Sequence, residues 1–83
     1  MIEEIVLPPK LTMIPSVLFW GNDVLKRVTI QDNVQSIADD AFLLCDNLKD
    51  IYYTGTRQQW SKITIGDSNS ELRKATLHFK GEN

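Results

Sequence analysis

The chain has 83 residues, 42% apolar and 24% charged, the mixture of one small folded domain rather than a disordered segment. Eleven acids against nine bases give a net charge of −2, and no Lys/Arg cluster supplies the basic footprint of a nucleic-acid binder. One cysteine and one histidine cannot form an internal disulfide or a Cys/His metal site, and no apolar run reaches the ~18 residues of a membrane span.

Taken in order, Ile5-Val6-Leu7 alternates as a short strand with one buried face, and Pro8-Pro9 ends it because proline cannot donate to a continuing ladder. Met13, Val17 and Trp20 then stand in a stretch greasier than its counterpart downstream, where Ser36, Asp40 and Leu43 occur. Val28-Thr29-Ile30 repeats the strand pattern, with Asp32-Asn33 as its turn. Ser36 to Phe42 is expected to carry a helical turn, with Ile37, Ala41 and Phe42 on one face. Ile51-Tyr52-Tyr53 forms the third strand, and Gly55 is suited to a positive φ or a tight bend. Thr56 to Trp60 reads as a capped helical turn that puts Trp60 in the column of Ile14 and Ile37. Ile63 and Ile65 alternate like a strand, Gly66 to Ser70 is a loop, and Leu72 starts another turn. Ala75 to Phe79 is a final strand, and residues 80–83 are expected to fray.

Internal repetition organises these pieces. Displacing the sequence by 23 residues superimposes Ile5, Val28 and Ile51, then Leu7, Ile30 and Tyr53, then Ile14 and Ile37, then Phe19 and Phe42. A period of this size suits one strand plus one turn per coil. Strands so far apart in sequence cannot be joined as hairpins and must stack in parallel, each coil touching its neighbours. The fold expected is an α/β-type repeat: a short solenoid with a parallel sheet and short helical turns. It forms a single domain, 1–83, with repeats near 2–24, 25–47 and 48–79, a C-terminal capping strand and a tail at 80–83.

The string Leu25-x-x-Val28-x-Ile30, Val34, Ile37, Ala41-Phe42, Cys45, Leu48 resembles the BspA-like leucine-rich repeat. Ile51-Tyr52-Tyr53-Thr54-Gly55-Thr56, Trp60, Ile63-Thr64-Ile65, Asn69, Leu72 and Ala75-Thr76-Leu77-His78-Phe79 resemble that family's recurrent C-terminal unit. The resemblance implies a non-catalytic solenoid used for adhesion or protein binding. The first unit departs from the pattern, with Asn22 in the cysteine column and Val17-Leu18-Phe19-Trp20 before it.

Catalysis has little to stand on. Cys45 occupies a core column, His78 lies on the last strand, and adjacent Asp39 and Asp40 do not converge on one substrate. The loop at 66–70 lacks the spaced acids of a calcium loop, so no metal or cofactor is expected. What remains is surface. In-register stacking lines up Glu4, Arg27 and Asp50, then Val6, Thr29 and Tyr52 extended by His78, as a strand face able to meet a protein partner. A third row, Pro8, Gln31 and Thr54, follows. Met13, Val17 and Trp20 form a second candidate patch for a partner or a homodimer, Trp20 being its aromatic anchor. The leading function is thus a protein-binding module without a small-molecule substrate, a nucleic-acid partner or membrane insertion. The alternative is a small intracellular inhibitor, encoded by a phage or mobile element, that blocks a host enzyme by contact. Met1-Ile-Glu-Glu shows no secretory leader, giving a cytoplasmic expectation, or a surface-exposed one if the chain is part of a longer exported protein.

Overall fold

The structure, a computed structural model, describes residues 3–16 and 21–82. In chain order the elements are β1 (Glu4–Val6), β2 (Met13–Ile14), β3 (Arg27–Ile30), β4 (Ser36–Ile37), β5 (Asp50–Tyr53), α1 (Arg57–Trp60), β6 (Thr64–Ile65), α2 (Ser70–Lys74) and β7 (Thr76–Phe79). Two parallel sheets result, one ordered β1-β3-β5-β7 and one ordered β2-β4-β6. Ile5, Val28, Ile51 and Leu77 stand opposite one another across the larger sheet. That register is the one the 23-residue displacement predicts, and Leu77 joins it from the closing strand.

The core lies between the sheets. Val28, Ile30 and Ile51 contribute from β3 and β5, Ile14 and Ile37 from the smaller sheet, and Leu25, Phe42, Cys45 and Leu48 from the corners; all are buried. Each such aliphatic or aromatic side chain adds about 1.5–3 kcal/mol on leaving water. Ile5 and Leu77, whose columns are expected to face the core, are half-buried, because β1 and β7 are the edge strands of the described sheet.

Three local expectations are corrected. Ser36 to Phe42 is not a helical turn: β4 comes first, and the chain then advances by i→i+3 bonds, Ala41 N–H to Ala38 O and Leu43 N–H to Asp40 O. Asp40 at φ 62° and Leu44 at φ 64° are left-handed, which an α-helix does not accommodate. Leu44 matches Gly21, at φ 71°, one repeat earlier, so the corner geometry repeats although its glycine does not. Trp60 does not take the column of Ile14 and Ile37. That column belongs to Ile65, paired to Ile37 in β6, and α1 lies in the longer connection between β5 and β6.

Gly55 lies in a bend at residues 54–55, one of the two forms expected for it, and close packing adds a second reason for its size. Its φ is not positive; a Cβ there would lie 2.7 Å from Tyr53 Cε2 and 3.0 Å from Asp32 Cβ. Residues 80–82 are not frayed. Lys80 N–H donates to Tyr53 O at 2.8 Å, Gly81 N–H donates to Gly55 O at 3.0 Å, and the Glu82 carboxylate accepts from Arg57 N–H. The capped turn at 56–60 is present: Thr56 Oγ1 accepts from Gln59 N–H, and Gln59 Oε1 accepts from Thr56 N–H, a reciprocal capping box.

Asn69, unremarked as a structural residue in the sequence, ties the second coil to the third. It is 2% exposed. Its Oδ1 accepts from Phe42 N–H at 2.9 Å, and its Nδ2 donates to Ala38 O at 3.0 Å and Gly66 O at 3.1 Å. Beside it, Asp67 N–H donates to Asp39 Oδ1 at 2.7 Å. Asp39 therefore fixes the neighbouring loop.

Candidate protein-binding face

Strand alternation turns residues 4, 6, 27, 29, 50, 52, 76 and 78 away from the core, because 28, 30, 51 and 53 are buried between them. Two rows cross this outward face. Glu4, Arg27, Asp50 and Thr76 are paired in the first, and Val6, Thr29, Tyr52 and His78 in the second. Thr76 was missing from the expected row, although the same 26-residue step that sets His78 beside Tyr52 sets Thr76 beside Asp50.

The charges of the first row are locally paired. Arg27 Nε donates to Glu4 Oε2 at 3.2 Å, with both side chains about half exposed, a pair of only a few tenths of a kcal/mol. Lys26 Nζ stands 3.1 Å from Glu3 Oε1, and that hydrogen bond holds the Glu3 carboxyl below its ordinary value. Asp50 is engaged diagonally: His78 Nε2 lies 2.9 Å from Asp50 Oδ1.

At the β5–β7 side the second row becomes an aromatic platform. The Tyr52 and His78 rings stack with centroids 4.6 Å apart and planes 15° from parallel. The Lys80 ammonium lies 5.6 Å from the Tyr52 centroid, within cation–π range. The platform holds two rings, one ammonium and one carboxylate, with rotamer freedom already reduced by their mutual contacts. At the opposite side Val6 is 62% exposed. The third expected row is a set of cross-links: Gln31 Nε2 donates to Leu7 O, and Asp32 N–H donates to Thr54 Oγ1.

The second candidate patch is only partly described. Met13 is 49% exposed, while Val17 and Trp20 lie outside the described residues. Cys45 is fully buried, and desolvation pushes its thiol up to about 11. Among the described residues no group of three or more His, Cys, Asp or Glu side chains could hold a metal ion, and no helix is long and apolar enough to cross a membrane.

Parallel strands stacked in register, with the first two coils turning through the same left-handed corner at Gly21 and Leu44, define a leucine-rich repeat module of few coils. The family model for the BspA type leucine rich repeat region (6 copies) matches residues 1–79, and the chain belongs to that family. Searches of curated proteins and of solved structures give no match. Repeats of this family are typically non-catalytic and commonly bind proteins.

Proposed function

We propose that the chain is a protein-binding module that engages its partner through the outward face of the four-stranded sheet, around Tyr52 and His78. The observation that carries this reading is the stacked Tyr52–His78 pair with Lys80 above and Asp50 beside it. A half-exposed aromatic platform, already ordered, loses little entropy on binding and supplies the residue types that dominate interface energies. Thr29 and Val6 extend the same row toward β1. They provide a smooth, short-chained strip against which a partner can close and exclude water.

The test is affinity capture with matched variants. Wild type and Tyr52→Ala/His78→Ala, both verified as folded by circular dichroism, are used to draw proteins from the source cell. A protein retained by wild type and lost with the double variant supports the reading. Equal capture by the two excludes this face.

A further inference from the structure

Where the long third connection stands off the second, between α1 and residues 32–35, the surface opens into a cleft of about 330 Å³. Its floor is apolar, made by Val34, Ile63 and the Tyr53 ring, all buried. Its rim carries Asp32, Gln35, Gln59 and Lys62, all exposed. An apolar floor with a few polar groups converging on it is the usual form of a ligand site. The sheet's outward face does not include this cleft, because Tyr53 and Tyr52 point to opposite sides of β5.

The polar groups around the cleft are uncommitted. Tyr53 is 1% exposed; its hydroxyl makes no hydrogen bond to a described residue and, not being a buried unpartnered atom, meets the solvent of the cleft. The ring is held edge-on to Trp60 and Phe79, with centroids 5.1 and 6.3 Å away, so it is not at liberty to seek a partner elsewhere. Burial, and after it the Asp32 charge, push the phenol upward, which keeps it a proton donor at neutral pH. Gln59 Oε1 is occupied by Thr56 N–H at 2.7 Å, which leaves the Gln59 N–H groups as donors. The Gln35 amide, the Lys62 ammonium and the Asp32 carboxylate also have no side-chain partner among the described residues.

The rim therefore offers donors from Tyr53, Gln59 and Lys62, an acceptor from Asp32, and either from Gln35, with no net charge. A carboxylate would meet Lys62 but also face Asp32, and an ammonium would meet Asp32 but also face Lys62 and leave the Tyr53 proton unmatched. A group that is neutral and carries both a C=O and an N–H satisfies the whole set. We propose that this cleft binds the side-chain carboxamide of a Gln or Asn residue presented by a polypeptide, with its methylene part on Val34 and Ile63.

The experiment titrates the ¹⁵N-labelled chain with N-acetylglutamine N-methylamide and with the alanine, glutamate and lysine counterparts. Saturable shifts should appear at Tyr53 and at the Gln35 and Gln59 side-chain amides, with the glutamate and lysine probes at least about fivefold weaker. A weaker alanine probe supports the side-chain carboxamide as the ligand group, and an alanine probe as strong as the glutamine probe overturns it. Tyr53→Phe should keep the wild-type urea midpoint or raise it, since the hydroxyl it removes has no partner, and should weaken binding about five- to tenfold. Gln35→Ala, at an exposed position, should weaken binding without touching the fold. Absence of saturable shifts, equal binding of all four probes, or full binding by both variants overturns the proposal. Because none of these positions lies on the outward face, failure here leaves the sheet-face reading standing, and the reverse.

Discussion

Asn69→Ala removes the join between the second and third coils without touching the apolar core. It deletes the acceptor for Phe42 N–H at 2.9 Å and the donor to Ala38 O and Gly66 O at 3.0 and 3.1 Å. At about 0.5–1.5 kcal/mol net for each bond, and with the site only 2% exposed, the loss is about 2–4 kcal/mol. A domain of this length has about 4–12 kcal/mol in total, so the variant should melt roughly 10–25 °C lower. Urea and thermal unfolding followed by far-ultraviolet circular dichroism measure both figures. Asn69→Asp is the companion. It keeps the Oδ1 acceptor but sets a carboxylate against two backbone carbonyls, so at neutral pH it should be at least as unstable as Asn69→Ala. It should recover part of the loss near pH 3–4, where the carboxyl is protonated and can donate. A loss below about 0.5 kcal/mol for Asn69→Ala would refute the reasoning, since the three bonds would then contribute nothing net.

Gly66→Ala should destabilise by about 1–3 kcal/mol, because its Cβ would come within 2.6 Å of Asp39 N and 2.9 Å of Ala38 C, backbone atoms with little room to yield; a midpoint within error of wild type contradicts this close approach. Leu44→Gly should raise stability by up to about 1 kcal/mol, since the residue is 49% exposed and left-handed at φ 64°; a clear loss would show that the Leu44 side chain contributes packing. Cys45→Ser should cost about 1–3 kcal/mol through a hydroxyl placed in the apolar core. Burial pushes the Cys45 thiol up to about 11 from its ordinary value near 9. The folded state thus favours the protonated form, and stability from this group is complete below pH 9 and declines as pH rises toward 11. Cys45→Ser should show a smaller decline, keeping only the part that comes from other groups such as the raised Tyr53 phenol, which denaturant midpoints across pH 8–11 would register.

The larger sheet was legible because its inward residues recur at a fixed interval: Val28 and Ile30 are repeated by Ile51 and Tyr53, and the period alone dictates parallel pairing. The smaller sheet was half visible. Ile14 and Ile37 were aligned correctly, but a two-residue strand carries too little alternation to be told from the start of a helical turn. Counting in fixed steps then misplaced Trp60, because the third connection is lengthened by α1 and Ile65, not Trp60, completes the column. The left-handed backbone at Asp40 and Leu44 had no glycine to announce it. Asn69 sat in a stretch read by composition as loop, and nothing local distinguishes a solvated asparagine from one buried beneath a neighbouring coil. The outward rows followed from the register, whereas the Tyr52–His78 stack and the Lys80 contact depend on side-chain rotamers. The cleft by Tyr53 required knowing that Gln59 spends its oxygen on a cap.

Site-specific photo-crosslinking tests the central claim most directly. Benzoylphenylalanine placed at Thr29, the middle of the outward row, and separately at Met13, on the smaller sheet, reports which surface meets the partner in the source cell. The account predicts a discrete crosslinked protein from position 29, abolished by Tyr52→Ala/His78→Ala, and none from position 13. A crosslink from position 13 with nothing from position 29 would contradict it.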